Sequence, residues 1–255
     1  MSKRVLITGA SGFIAGHIVG ELSKEYPLIL VSRKELAYPF PVYHPSDLKK
    51  AFEVERPDVV INTVGILKET KGTTYGEAHV EFTGSLVELA KEFGVRKFIQ
   101  ISALGTRKGA PSIYHRTKWE AEELVRSSGI PYLILRPSIV LGKGQKLYDD
   151  LKRLSRFLPV IFAPRMKVQP VRVERVVEAV KEGVECKLSG TFELCGERVM
   201  SMGELFREVL KELRIRRPVF EVPKFLLLPA ALIGLFGFDI DQYRMIEDNL
   251  CKRYP

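Results

Sequence analysis

Side-chain amides are scarce in this chain of 255 residues, which has two Asn (62 and 249) and four Gln beside 40 Lys or Arg and 31 Asp or Glu. That balance resembles thermophile composition and speaks to durability, not function. Cysteine is scarce too. Cys186, Cys195 and Cys251 are scattered and odd in number. They match no metal-ligand spacing and no disulfide framework, which reads as a reducing compartment. The four His, at 17, 44, 79 and 115, do not cluster, so no metal centre is expected and each reads as an ordinary surface or core residue. Low-complexity tracts and internal repeats are lacking.

Charge of one sign is not confined to either half. Residues 1–145 carry 20 basic and 15 acidic side chains, and the remainder 20 and 16. The net charge of +9 therefore marks no basic tail or arm. This argues against nucleic-acid binding and leaves affinity for anionic cofactors or membrane surfaces. The uncharged stretch from Phe225 to Phe238 is fourteen residues long and broken by Pro229, too short to span a bilayer. It reads either as paired short helices closing a substrate lobe or as a peripheral-membrane or protein-complex docking surface beside Lys224 and Arg214 to Arg217. Ser2-Lys3-Arg4 runs straight into an apolar strand, so no signal peptide is expected. The expected location is cytoplasmic, with peripheral attachment to the inner face of the membrane as a variant.

What the chain does have is a glycine turn at its start. Val5-Leu6-Ile7-Thr8 is strand-like, Gly9-Ala10-Ser11-Gly12 follows, and Phe13 to Leu22 is amphipathic. Strand, glycine turn and helix together make a dinucleotide pyrophosphate site, because backbone N–H groups approach the phosphates at a helix N-terminus. A second apolar strand, Leu28 to Val31, ends in Ser32-Arg33-Lys34. An acidic residue that would bind the ribose 2′-hydroxyl of NAD is expected near here. Arg33 suits a 2′-phosphate instead, which favours NADP(H) over NAD(H).

Further strands are expected near Pro41–Tyr43 and at Asp58–Asn62, Lys97–Ser102 and Tyr132–Arg136. Helices are expected at Asp47–Glu55, Tyr75–Phe93 and Ser112–Arg126. The fold class is thus α/β, a Rossmann-type doubly wound parallel sheet of six strands with helices on both faces. Residues 1–144 form the nucleotide-binding domain. Residues 145–255 form a smaller substrate or docking lobe, partly interleaved with it, that includes a Thr191–Leu194 strand and a helix capped by Ser201 and Glu204. Thr63-Val64-Gly65 lies at a strand's C-terminal end, where ligands of such sheets bind.

Tyr114 and Lys118 stand at i and i+4 on one helix face. An adjacent cation favours the phenolate and lowers the phenol's pKa, and such a Tyr can serve as general acid or base toward a carbonyl or alcohol. Thr8-Gly9-x-x-Gly12, Tyr114-x-x-x-Lys118 and Arg136-Pro137-Ser138-Ile139-Val140-Leu141-Gly142 resemble the short-chain dehydrogenase/reductase superfamily, in its extended and atypical branches. Val60 to Leu67, Ala78 to Glu81 and Ile101 to Gly105 resemble the group related to the NADPH-binding accessory subunit of respiratory complex I, with sugar-nucleotide epimerases and reductases as more distant cousins.

The resemblance implies that Gly9, Ser11, Gly12, Phe13 and Ile14 hold the pyrophosphate and that Ser32 and Arg33 meet the adenosine end. Thr63, Val64 and Gly65 line the ribose. Tyr114 is the acid/base, Lys118 its partner and the ligand of the nicotinamide ribose, and Pro137, Ser138 and Ile139 border the nicotinamide. His79 sits where many relatives carry Asn. Ala15 replaces the third glycine, with Gly16 one step late. Ser102-Ala103-Leu104 offers one hydroxyl where active members carry several. Ser102 is the catalytic candidate there, with Thr106 and Ser112 as substitutes. Two functions follow: an oxidoreductase or epimerase-like enzyme acting on a small carbonyl or sugar-type substrate, or a non-catalytic NADPH-binding subunit or sensor docked on a membrane complex.

Overall fold

The structure is a computed structural model describing residues 2–186 and 189–252. Its first unit comprises Met1–Pro137 and Val173–Leu194, and its second Ser138–Arg172 and Cys195–Pro255. In chain order the first unit contributes β1 (Val5–Thr8), α1 (Phe13–Leu22), β2 (Leu28–Val31), β3 (Val42–Tyr43), α2 (Leu48–Glu55) and β4 (Val59–Asn62). A π-helical turn (Gly76–Glu81) leads into α3 (Phe82–Glu92), followed by β5 (Lys97–Ile101), α4 (Ile113–Arg126) and β6 (Tyr132–Pro137). The second unit then takes β7 (Val140–Leu141), α5 (Lys146–Phe157), β8 (Ile161–Pro164), β9 (Lys167–Val168) and β10 (Val171–Arg172). The chain returns to the first unit for α6 (Val173–Glu185) and β11 (Gly190–Leu194). It ends in the second with β12 (Met200–Ser201), α7 (Met202–Glu212), β13 (Val219–Val222), α8 (Leu228–Leu232) and α9 (Ile240–Arg244).

The first unit is a seven-stranded sheet in the order β11-β6-β5-β4-β1-β2-β3, with every neighbouring pair parallel. Parallel strands covered on both faces need no polar alternation, and β1, β2, β4 and β5 are buried at every residue. One face packs Leu6, Ile29, Val60, Phe98 and Ile134 against Phe52 of α2, Leu86 of α3 and Val125 of α4. On α6, Gly183 lies so near β6 that a Cβ would overlap Leu133. The expected six strands are therefore seven. Thr191–Leu194, read from sequence as part of the lobe, pairs with β6 from Gly190↔Leu133 to Leu194↔Pro137. The strand order reverses at β1, between β2 and β4, which places a ligand crevice at the C-terminal ends of β1 and β4.

In the second unit β8 pairs with β13, β9 with β12 and β7 with β10. Leu151 of α5, Ile161 and Ala163 of β8, and Leu205, Val209 and Leu210 of α7 form its core. The capping box at Ser201 and Glu204 forms as the sequence leads one to expect. The cysteine reading needs correction, since Cys195 and Cys251 are joined as a disulfide across 56 positions and Cys186 is the exposed thiol. Spacing alone could not pair them, because what brings Cys251 close is a C-terminal segment laid along β9. Asn249 N–H donates to Lys167 O at 2.8 Å, and Gln169 N–H donates to Asn249 O at 3.1 Å. Among the described residues no helix is long and apolar enough to cross a membrane.

Candidate functional site

The site is built at the C-terminal ends of β1, β4 and β5, and a buried amide organises it. Asn62, at the end of β4, accepts from Thr8 Oγ1 at 2.7 Å and from the Val64 backbone N–H at 3.1 Å. Its Nδ2 donates to Gln100 Oε1 at 3.0 Å and Thr83 Oγ1 at 3.1 Å. Thr63 Oγ1 donates to Thr8 O at 2.7 Å. Buried amides are costly unless fully partnered. This one is partnered at both its oxygen and its nitrogen, and it thereby fixes the 63–65 segment beside the glycine turn.

Gly9 has φ +69°, and a Cβ there would come within 2.9 Å of Thr63 Oγ1, so only glycine fits. Gly12 is the N-cap of α1 and brings no capping side chain, which leaves the N–H groups of Phe13 and Ile14 to be satisfied from outside. That turn fits an anionic pyrophosphate. Ser11 is exposed beside it. Ala15, in the third-glycine position, is fully buried, while a Cβ on Gly16 would meet nothing within 4 Å. The methyl of Ala15 is therefore accommodated in the interior, and Gly16 is not a close-approach glycine. At the end of β2, Ser32 is buried and its Oγ accepts from the Lys34 N–H at 3.0 Å. Arg33 is exposed, with Nη1 3.3 Å from Thr73 Oγ1.

On α4, Tyr114 and Lys118 are both buried, 8 % and 4 % exposed, on one helical face. The Lys118 ammonium donates to Val64 O at 3.1 Å and Ile101 O at 3.4 Å. It lies 2.8 Å from the position a Cβ on Gly65 would take. Thus Gly65, Lys118 and Tyr114 are gathered in one place. The expectation that Lys118 depresses the phenol is overturned. Burial pushes Tyr114 up to about 12, and burial also brings Lys118 down to about 8, partly countered by Glu122. Withdrawal from water disfavours both charged forms, and for Tyr114 burial is the cause of the shift.

His79, in the π-helical turn, packs edge-on against Tyr114, with ring centroids 5.4 Å apart. Its Nε2 accepts from the Ile66 N–H at 3.2 Å, and its Nδ1 lies 2.9 Å from Thr117 Oγ1. An acceptor Nε2 places the proton on Nδ1. Burial first, and the Lys118 charge second, hold the imidazole neutral, with its pKa lowered to about 2. The sequence reading gave His79 no such part. Its signal was its place among residues that resemble the complex I group.

Ser102 is buried, and its Oγ donates to Glu122 Oε1 at 2.5 Å. Glu122 is fully buried and held by Arg136, with Nε at 2.8 Å and Nη2 at 2.5 Å, and by Arg126 Nη2 at 2.5 Å. The Ser102 proton is thus committed to a carboxylate already neutralised by two guanidiniums. Glu122 lies one turn beyond Lys118, a spacing the sequence reading passed over. Of the substitutes for Ser102, Ser112 is the N-cap of α4, accepting from His115 N–H at 3.3 Å, and Thr106 is buried. Pro137 closes β6. Ser138 and Ile139 follow in the second unit, where Ser138 Oγ donates to Asn249 Oδ1 at 2.5 Å.

The model of the NAD dependent epimerase/dehydratase family matches residues 5–173, from β1 through the start of α6. The chain belongs to that family. Among curated relatives it is similar to "NADH dehydrogenase [ubiquinone] 1 alpha subcomplex subunit 9, mitochondrial" of Arabidopsis thaliana, at 27 % identity over 245 residues, 88 % of this chain and 60 % of that one. It spans about three fifths of the length of that relative and 64 % of a Neurospora crassa counterpart. Among solved structures it superposes on WbmH of Bordetella bronchiseptica in complex with NAD+, with TM-score 0.74, 15 % identity and 96 % and 99 % of the two chains covered. It also superposes on dTDP-4-dehydrorhamnose reductase of Bacillus anthracis in complex with NADP, with TM-score 0.72, 20 % identity and 88 % and 85 % covered. These likenesses place the epimerase/dehydratase chain among Rossmann-type NAD(P)-binding proteins of the extended short-chain dehydrogenase/reductase kind, related both to epimerases and to complex I subunits.

Proposed function

We propose that this chain binds NADP(H) at the β1 glycine turn and reduces a small carbonyl or sugar-type substrate, with Tyr114 as proton donor. The observation carrying the reading is the seat of Lys118 against Gly65, which joins the nucleotide turns to the Tyr114 helix. Gly9, Ser11, Gly12, Phe13 and Ile14 receive the pyrophosphate. Ser32 and the exposed guanidinium of Arg33 receive the 2′-phosphate, a planar bidentate match that NAD(H) does not offer. Thr63, Val64 and Gly65 border the ribose, and Pro137, Ser138 and Ile139 the nicotinamide. The bound cofactor supplies the hydride.

A phenol held near 12 stays protonated throughout the working range, so Tyr114 suits donation to a carbonyl oxygen better than abstraction from an alcohol. Lys118 stabilises the developing negative charge while it is itself protonated, below about pH 8. Reduction is therefore expected to slow as pH rises through about 8. Because the Ser102 proton is directed to Glu122, substrate polarisation is weak and turnover slow. A missing oxyanion donor costs roughly a hundredfold or more. The test is NADPH oxidation with a panel of carbonyl substrates. Tyr114→Phe should abolish turnover and leave NADPH binding intact, whereas retained turnover removes Tyr114 from the chemistry.

The commitment of Ser102 favours a second reading: an NADPH-binding subunit without turnover, docked on a protein complex or peripherally on the inner face of a membrane through Phe225 to Phe238. The relative's name, a mitochondrial NADH dehydrogenase subunit, suits it. A melting temperature raised by NADPH, with no turnover across the panel, would select this reading.

A further inference from the structure

We infer that the second unit carries a docking surface for an anionic lipid bilayer. The inference deepens the docking part of the proposed function and does not depend on the nucleotide site. Its first support is the distribution of charge. Residues 151–172 and 213–238 hold ten Lys or Arg and one acidic residue, Glu221, a surplus of nine. That surplus equals the net charge of the whole chain, and the other residues balance at 30 of each sign. A comparison split at residue 145 conceals this, because both segments lie after it and the remaining residues there carry an acidic excess that offsets them.

The second support is exposure. Among the described residues the four most exposed large apolar side chains are Ile233 (75 %), Leu232 (68 %), Phe157 (67 %) and Phe225 (66 %), and all belong to these same two segments. Phe162 and Phe220 are also more than half exposed. The fold brings the segments together. Phe157 stacks on Phe236 with centroids 6.0 Å apart, Arg153 Nη2 donates to Phe236 O at 2.8 Å, and Arg217 Nε donates to Ser155 O at 3.1 Å. Phe162 and Phe220 are register partners on β8 and β13, so they share one face of that pair. Arg156 and Arg216 are exposed beside these groups.

Charge complementarity calls for an anionic occupant, and the exposed aliphatic residues of the short α8 turn call for an apolar one. A phosphate backbone gives Leu232 and Ile233 nothing to enter. A bilayer interface takes both, with the apolar side chains at the acyl boundary and the arginines among the headgroup phosphates.

The test uses the full chain and vesicles of phosphatidylcholine, alone or mixed with phosphatidylglycerol. The chain should sediment with the mixed vesicles at low salt and not with neutral ones. Arg156→Glu and Arg216→Glu should each weaken this about fivefold or more. Leu232→Asp with Ile233→Asp should reduce it at least about tenfold, since burying aliphatic groups supplies the insertion. Both positions are exposed, and far-UV circular dichroism checks the fold of each variant. Ile233→Trp should be quenched by brominated acyl chains beyond the signal from Trp119. Natively folded chain that stays in the supernatant with anionic vesicles would overturn the inference. So would undiminished sedimentation of the Leu232→Asp, Ile233→Asp variant, which is the behaviour of a polyanion or nucleic-acid site. The NADPH-induced rise in melting temperature reads the nucleotide site separately, so failure of one reading is distinguishable from failure of the other.

Discussion

His79 and Gly65 show how single residues set the site. A histidine that cannot charge in the folded state costs stability wherever the unfolded chain binds that proton. Its folded pKa of about 2 lies below the ordinary 6.5, so the unfolded state carries more protons between those values and stability falls as pH drops below about 6.5. Urea unfolding from pH 6.5 down to 4 should show this slope, and His79→Gln should lack one proton's worth of it. Equal slopes in the two chains would mean that the imidazole is not held neutral. Two glycines make opposite predictions. Gly65→Ala pushes a methyl against Lys118 Nζ and should lower stability by about 1–3 kcal/mol. Gly16→Ala, inside α1 with open space around it, should raise it by about 0.5–1 kcal/mol. Melting temperatures of the two variants should therefore move in opposite directions. Gly9, Tyr114 and Lys118 were legible in the sequence because spacing and context define them. The direction of the Tyr114 pKa shift was not, since it depends on burial and not on the neighbour four positions away.

Among elements, most strands and helices could be read from apolar runs and glycine stops. Those of the parallel sheet were clearest, because burial on both faces leaves continuous apolar stretches such as Val5–Thr8 and Leu28–Val31. Two features escaped. The helix expected from Tyr75 starts as a π-helical turn, Gly76–Glu81, which carries His79. Such turns often stand at functional sites, but no propensity marks them. The C-terminal segment along β9 also escaped, because its partners lie far away in sequence and its pairing rests on Asn249 and Cys251. In the chain-entropy account a bridge closing a loop of this length, 56 positions, stabilises by about 4 kcal/mol. Cys251→Ser, or reduction of the unaltered chain, should lower the melting temperature by a matching amount. Identical melting under oxidising and reducing conditions would count against the bridge.

For the molecule as a whole, scarcity turned out to be informative. Both asparagines are hubs: Asn62 ties β1, β4 and β5 at the nucleotide turns, and Asn249 ties the C-terminal segment to Ser138 and β9. The doubly wound topology could be read from strand–helix alternation, yet the return of the chain to the first unit for α6 and β11 could not, because a strand's sequence does not say which edge it joins. The claim on which the functional account rests is that the β1 turn and Arg33 make an NADP(H) site. Equilibrium titration of the cofactor-free chain with NADPH and NADH tests it most directly. The account predicts saturable binding with NADPH preferred about tenfold or more, as expected for a charge-assisted Arg–phosphate contact, and a preference abolished by Arg33→Ser. Binding of neither nucleotide, or a preference for NADH unaffected by Arg33→Ser, would contradict it.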